Sequence, residues 1–297
     1  MKAKQNLGQN FLMHQKTADR IASSAGFPPG AHVLEIGPGT GMLTRSLLAQ
    51  GAVVTAVETD TQLIPQLSET FSSEITTGSL SLVSGDVRTF DFTTFAMKPQ
   101  SGSSTRRRKS MSEGVPEYDG AKRQALQERN RGIFGSSYYV VANIPYYITG
   151  EIIRLLLTTP HKPTSITLLV QKEVAVRICR AQKESILSLS VKVYGKPSYL
   201  FTVPRGAFRP APNVDSAVLH VESIHNPFRS KKEESFFFEV LHAGFGHKRK
   251  KLSKNMEAVA LASDVSSAFA SCSLDMNVRA EELSLTDWKA LVTLLKK

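Results

Sequence analysis

The segment AHVLEIGPGTGMLTRSLLAQ, residues 31–50, decides the fold, because it joins a strand pattern to a helix pattern through a glycine-rich loop. Residues 31–37 form an apolar run that is typical of a buried strand, and residues 42–50 carry apolar side chains at helical spacing before Gly51. A strand, a tight loop and a helix in this order are the building unit of a parallel α/β sheet.

The same alternation continues along the first half of the chain. Strands are predicted for VVTAVE, LSLVSGD, YYVVANI and ITLLVQ, and helices for residues 60–70 and 151–159. This spacing predicts a mostly parallel sheet covered by helices on both faces. Ligands are then expected beyond the carboxyl ends of the strands.

Composition limits the classes of function. The chain has 297 residues, 41% of them hydrophobic, enough for one large domain and a small one, and its net charge of +11 favours a polyanionic partner such as nucleic acid. No apolar run approaches the roughly 20 residues of a membrane span, and the amino terminus lacks a signal-peptide pattern, which favours the cytoplasm. With only Cys179 and Cys272, and seven histidines without ligand spacing, neither a disulfide framework nor a metal site is predicted.

Two segments depart from the alternation. Residues 97–137 contain nine Lys or Arg, four Asp or Glu and few large apolar residues, which predicts either a solvated, partly disordered insertion or an RNA-contacting arm. After residue 225 the pattern becomes helical, as in EESFFFEVLHAGF and DWKALVTLLKK. The sequence therefore predicts a large α/β domain over residues 1–225 and a small helical domain over residues 226–297.

Three successive strand ends carry polar groups suited to a nucleoside cofactor. The loop has glycines at Gly37, Gly39 and Gly41, but Met42 stands where the dinucleotide fingerprint needs its third glycine, so a nicotinamide cofactor is disfavoured. Glu58 ends the next strand and can accept from both ribose hydroxyls, and Asp86 ends the third and can accept from an adenine amino group. The three strand ends thus offer binding positions for an amino-acid moiety, a ribose and a base, which are the three parts of S-adenosylmethionine.

The motif NIPYYIT, residues 143–149, follows the fourth strand and predicts chemistry on an adenine amine. The side-chain carbonyl of Asn143 and the backbone carbonyl of Ile144 can accept from the two N–H groups and localise the nitrogen lone pair. Pro145 fixes the turn, and Tyr146 can stack on the base. A strand followed by an ordinary turn is the plainer alternative.

With these motifs the chain resembles the ribosomal RNA adenine N6-dimethyltransferases, which modify two adjacent adenines near the 3′ end of small-subunit rRNA. The resemblance covers nearly the whole length, through LGQNFL, EIGPGTG, NIPYYIT, LLVQKEVAVRI and FRPAPNVDSAVL. It implies a Rossmann-like class I methyltransferase fold with a mostly parallel seven-stranded sheet, a small all-helical C-terminal domain and S-adenosylmethionine as cofactor. It also implies a partner, 16S rRNA in an immature small ribosomal subunit, and a monomeric enzyme that needs no metal.

The resemblance assigns further residues. In this family the QNFL segment closes over the cofactor, which implies binding roles for Asn10 and Leu12. The other cofactor-binding residues that the resemblance implies are the three glycines, Glu58, Asp86 and Asn143. Phe208 is expected to stack on the target adenine opposite Tyr146. The basic run in FGHKRKKLSKN implies phosphate contacts from the small domain, through Lys248, Arg249, Lys250 and Lys251.

The chain departs from the family pattern in two places, namely the basic insertion and Asn213, where the family usually has Lys. Two alternatives stay open. One is the antibiotic-resistance branch, which methylates an adenine of large-subunit (23S) rRNA, and the other is a non-catalytic ribosome-assembly or transcription factor on the same fold. The VDSAVL segment favours the small-subunit branch, and intact carboxylates and NIPY favour an enzyme.

Overall fold

A computed structural model of the protein describes residues 9–92 and 137–296. The predicted insertion over residues 97–137 lies outside the described residues, apart from Ser137. The strands are β1 (Phe11–Leu12), β2 (His32–Ile36), β3 (Val53–Glu58), β4 (Leu80–Ser84), β5 (Tyr138–Asn143), β6 (Ser165–Gln171), β7 (Lys196–Val203), β8 (Phe208–Arg209) and β9 (Ser216–Glu222). The α-helices are α1 (Gln15–Ser24), α2 (Met42–Ala49), α3 (Ile64–Thr70), α4 (Ser72–Thr77), α5 (Thr149–Thr158), α6 (Lys172–Cys179), α7 (Ile186–Tyr194), α8 (Lys231–Phe245), α9 (Leu252–Met256), α10 (Ala262–Ser271) and α11 (Leu285–Leu295).

Seven strands form one sheet in the order β4-β3-β2-β5-β6-β9-β7. The first five pair in parallel, whereas β9 runs antiparallel to both β6 and β7. The predicted mostly parallel seven-stranded sheet is therefore confirmed. Strand order reverses at β2, which lies between β3 and β5, and a crevice at such a point is where ligands bind in sheets of this kind.

Buried apolar side chains on the two faces of the sheet fix its register. Val33 and Val54 belong to one core cluster, whereas Leu34 and Val140 belong to the other, as expected when side chains alternate along a strand. The central strand β6 is buried over nearly its whole length. Such continuous burial explains why its sequence reads as an unbroken apolar run.

A short amino-terminal arm, residues 9–13, crosses the carboxyl edge of the sheet. Its strand β1 pairs with β8, with Leu12 opposite Phe208, and the Met13 amide donates to the Ala207 carbonyl at 2.8 Å. These backbone bonds attach the arm to the segment that precedes β9.

The described residues after β9 contain helices and no strands. Trp288 and Phe237 lie in the same buried cluster as Ile152 of α5 and Leu189 of α7, so these helices continue the core of one sheet face. Their helical character agrees with the prediction, and the boundary at residue 225 stays a prediction.

Candidate active site

A cleft lies at the carboxyl ends of β2, β3, β4 and β5, where the order of strands reverses. Its empty volume, including the open solvent at its mouth, is about 1100 Å³. The sequence-predicted residues that line it are Asn10, Leu12, Gly37, Gly39, Glu58, Asp86, Asn143, Ile144, Pro145 and Tyr146. Folding thus brings together groups that are more than 130 residues apart.

Close packing explains two glycines of the loop before α2. The Gly39 amide donates to Oε2 of Glu58 at 3.0 Å, and its φ of +60° and the Phe11 ring, 3.0 Å from where a Cβ would lie, both disfavour a side chain here. Gly41 does not line the cleft. A Cβ on Gly41 would lie 2.4 Å from Cε2 of Phe71, so packing of the loop against this ring requires a glycine here, and the predicted cofactor contact of Gly41 stays a prediction.

Glu58 is anchored by backbone amides at the end of β3. Its Oε1 accepts from the Asp60 amide at 2.8 Å and its Oε2 from Gly39, and only 5% of the residue is exposed. Burial raises the pKa of Glu58, while these amides oppose the shift. Each carboxylate oxygen has a second lone pair, so Glu58 keeps acceptor capacity for two hydroxyls.

Glu35, in β2, is a buried carboxylate that sequence reasoning did not select. It lines the cleft, is 1% exposed, and neither of its oxygens has a hydrogen-bond partner among the described residues. Burial raises its pKa to about 8, the nearby hydroxyl and backbone amide of Thr44 oppose the shift although they do not reach the carboxylate in hydrogen-bonding geometry, and repulsion from Glu58 adds to it. A buried acceptor without a donor is costly, so the site fits a ligand that brings a cation or an N–H group. The sequence feature that could have identified Glu35 as a site residue is its position as an acidic residue inside an otherwise apolar strand.

Asp86 stands at the rim of the cleft and is engaged by Arg88. The Arg88 Nε donates to Oδ1 at 3.0 Å and to Oδ2 at 2.9 Å, and this contact lowers the pKa of Asp86. Arg88 also lines the cleft, at a position that the sequence did not mark as functional.

Asn143 lies at the end of β5 and is oriented by the arm. Its Nδ2 donates to the backbone carbonyl of Asn10 at 3.0 Å, and within the described parts of the chain no donor bonds its Oδ1. The arm is tied down again by Gln9, whose Nε2 donates to Oδ2 of Asp60 at 3.0 Å. The side-chain carbonyl required by the sequence-based hypothesis is thus available at the cleft.

The two aromatic residues predicted to hold a base occupy different environments. Tyr146 lines the cleft, and its hydroxyl shares a hydrogen bond of 2.5 Å with Ser216, while burial raises its pKa. Phe208 is 2% exposed, packs in the core beside Leu12 and does not line the cleft. The Phe208 ring is therefore buried outside the lining of the cleft, and its expected stacking on the target adenine stays a prediction.

The predicted RNA-contacting residues form an exposed loop between α8 and α9. The four residues are Lys248, Arg249, Lys250 and Lys251. Their side chains are exposed, and none of them forms an ion pair within the described part of the protein. The buried Asn255 holds the loop, because its Nδ2 donates to the carbonyls of Gly244 at 2.6 Å and His247 at 3.2 Å. We define these four residues as the basic loop.

Residues 9–92 and 137–296 contain no cluster of three or more His, Cys, Asp or Glu side chains arranged to hold a metal ion. None of the helices described is both long and apolar enough to cross a membrane.

Comparison with known proteins identifies the family. The family model described as ribosomal RNA adenine dimethylase matches residues 1–297. A Ribosomal RNA small subunit methyltransferase A from Dehalococcoides mccartyi is 33% identical over 98% of this chain and 88% of its own length. A protein of the same name from Lactococcus lactis is 32% identical over 98% of this chain and 90% of its own.

Solved structures share the fold. The crystal structure of the 23S rRNA methyltransferase ErmE superposes with a TM-score of 0.67 at 23% identity, covering 97% of this chain and all of that one. A dimethyladenosine transferase from Plasmodium falciparum gives a TM-score of 0.66 at 22% identity, with 95% of each chain covered. The family model matches the whole length of this chain, and the curated relatives match nearly all of it. The chain therefore belongs to the ribosomal RNA adenine dimethylase family.

Proposed function

We propose that this protein transfers methyl groups from S-adenosylmethionine to the N6 amino groups of two adjacent adenines near the 3′ end of small-subunit (16S) rRNA, giving N6,N6-dimethyladenosine. The observation that carries the proposal is the open Oδ1 of Asn143 in a cleft that also holds Glu35, Glu58 and Asp86. The names of the curated relatives support the small subunit over the large one.

The residues of the cleft fit the cofactor. Glu35 accepts the α-ammonium group of the cofactor, because the buried oxygens of Glu35 have no hydrogen-bond donor among the described residues. Glu58 holds the ribose hydroxyls through its remaining lone pairs, and Asp86 receives the adenine amino group. When bound, S-adenosylmethionine supplies a methyl carbon that its positively charged sulfur makes electrophilic.

The protein's contribution to the reaction is to position the target amine. An adenine N6 is a weak nucleophile because its lone pair is delocalised into the ring. Asn143 Oδ1 and the Ile144 carbonyl accept from its two N–H groups and favour the localised lone pair, and they do so from a fixed turn. Asn10 holds the amide of Asn143, so the acceptor is oriented before the base arrives. Tyr146, which lines the same cleft, forms one wall for the flipped base.

The substrate in this proposal is rRNA within an immature small subunit, and the enzyme acts as a monomer in the cytoplasm. Support comes from the net charge of +11 and from the exposed basic loop, which can contact phosphates at a distance from the cleft. The helical segment after residue 225 is the proposed RNA-binding domain.

The test is methylation of small ribosomal subunits that lack the modification, followed by mass spectrometry of the rRNA nucleosides. The proposal predicts N6,N6-dimethyladenosine at two adjacent positions when the purified protein and S-adenosylmethionine are added. Large subunits serve as the control substrate. Methylation of the large subunit alone would support the antibiotic-resistance branch, and no methylation of either would support a non-catalytic assembly factor.

A further inference from the structure

Arg88 surrounds the carboxylate of Asp86 with its own donors. Besides the two bonds from Nε, its backbone amide donates to Oδ1 at 2.9 Å, and its Nη2 donates to Oδ2. Each oxygen of Asp86 thus accepts two contacts from one residue. A carboxylate has about four lone-pair positions, so its capacity is filled.

This pairing has a consequence for the cofactor, which rests on the proposed function. An adenine amino group can bind Asp86 only if a donor of Arg88 leaves. The guanidinium is the part that can leave, since 46% of the Arg88 side chain is exposed and ion pairs in contact with solvent are weak. The backbone amide stays, because it belongs to the turn Val87–Thr89 that follows β4.

A second carboxylate, that of Glu151, lies close enough to pair with the displaced guanidinium. Nη1 of Arg88 lies 3.7 Å from Oε2 of Glu151, in the first turn of α5, and 54% of the Glu151 side chain is exposed. A small rotation of the Arg88 side chain exchanges one carboxylate for the other without leaving the guanidinium unpaired. Glu151 lies outside the set of residues that line the cleft.

We propose that Arg88 is a positioning residue that competes with the adenine amino group for Asp86 and moves to Glu151 when the nucleoside binds. The competition weakens cofactor binding and speeds departure of the spent cofactor. Fast exchange suits an enzyme that adds two methyl groups to each of two adenines, because every transfer consumes one cofactor molecule.

Calorimetry with S-adenosylhomocysteine tests the competition. Arg88→Met keeps the length of the side chain but removes the donors, so its affinity should rise by roughly threefold to fivefold, the equivalent of one exposed ion pair. S-inosylhomocysteine, which has a 6-oxo group instead of the amino group, is the matched probe, and its affinity should not rise. Because Arg88 is exposed, thermal unfolding should show that the variant folds.

Glu151 is tested in a double-mutant cycle. Glu151→Gln alone should weaken S-adenosylhomocysteine binding, because the displaced guanidinium loses its second partner. In the Arg88→Met background the same change should have no effect. An equal effect in both backgrounds would overturn the exchange.

The outcomes separate this inference from the proposed function. If the parent protein binds S-adenosylhomocysteine and Arg88→Met binds it equally or more weakly, Arg88 supports the site instead of competing for it, and the inference fails alone. If the parent protein binds no S-adenosylhomocysteine, both the proposed function and the inference fail.

Discussion

The side-chain amide of Asn143 donates to the backbone carbonyl of Asn10 at 3.0 Å, joining the end of β5 to the arm that crosses the cleft. This bond fixes which face of the amide is available, because Nδ2 is used by the arm and Oδ1 is left for a ligand. The relationship explains why a residue near the amino terminus belongs to a site built on strand ends. The arm and the turn at residues 143–149 are therefore joined at the cleft.

Glu58→Ala is expected to weaken S-adenosylmethionine binding by about 2–3 kcal/mol, because the ribose hydroxyls lose a charged acceptor. Isothermal titration calorimetry measures the change. Glu69→Ala, an exposed acidic residue of α3 outside the cleft, is the control and should bind normally. An unchanged affinity in folded Glu58→Ala would remove Glu58 from the cofactor site.

The raised pKa of Glu35 predicts that the stability of the protein depends on pH. Its pKa is raised from 4.5 to about 8 in the folded protein, so between these values the folded state holds a proton that the unfolded state has lost. The free energy of unfolding without ligand should therefore fall as pH rises through this window, by on the order of 5 kcal/mol. Denaturant unfolding of the parent and of Glu35→Gln at a series of pH values measures it.

Glu35→Gln should lack this part of the pH dependence, since glutamine does not titrate. Cofactor affinity should show the opposite trend in the parent protein and rise with pH, because an ammonium group prefers the ionised carboxylate. Identical pH profiles of stability for the parent and Glu35→Gln would contradict the assignment.

Gly41→Ala should destabilise the protein more than Gly30→Ala. Both glycines have a positive φ, +82° and +78°, so the backbone strain of an alanine is similar at the two positions. Only at Gly41 does the added Cβ meet a neighbour, the ring of Phe71, which should add about 1–3 kcal/mol. Chemical denaturation of both variants compares them, and equal losses would show that the ring moves aside freely.

Replacing all four residues of the basic loop with Ala should lower rRNA affinity and reduce its dependence on salt, while cofactor affinity stays unchanged. A variant with Lys248, Lys250 and Lys251 changed to Arg keeps the charge and is the matched control. Filter binding at several salt concentrations measures both. If the alanine variant binds RNA like the parent at every salt concentration, the loop is only a solvated surface.

The sequence predicts the sheet well because its central strands are buried on both faces. The prediction for β3 matches its observed limits, and those for β2, β5 and β6 differ by one or two residues. The sequence analysis does not predict α6, α7 and β7. Helix α3 begins at Ile64, later than predicted, because a turn follows the buried Asp60.

At the site, residues at strand ends could be predicted from spacing, since parallel strands bring their carboxyl ends to one edge. What could not be predicted depends on three-dimensional packing. The burial of Phe208, which is expected from its motif to stack on a base, is such a feature: the residue is 2% exposed and lies opposite Leu12 in the pairing of β1 with β8. The packing of the Phe71 ring beside Gly41, which is expected to contact the cofactor, is another.

The rate of methyl transfer by Asn143→Ala tests the central claim most directly, namely that this side chain positions the adenine amine. Single-turnover methylation of unmodified small subunits at saturating S-adenosylmethionine should slow by roughly 10²–10³-fold, as for loss of one preorganised hydrogen-bond partner. The cofactor dissociation constant, measured in parallel, should change much less. A parental rate in folded Asn143→Ala would contradict the account and leave NIPYYIT as a strand followed by an ordinary turn.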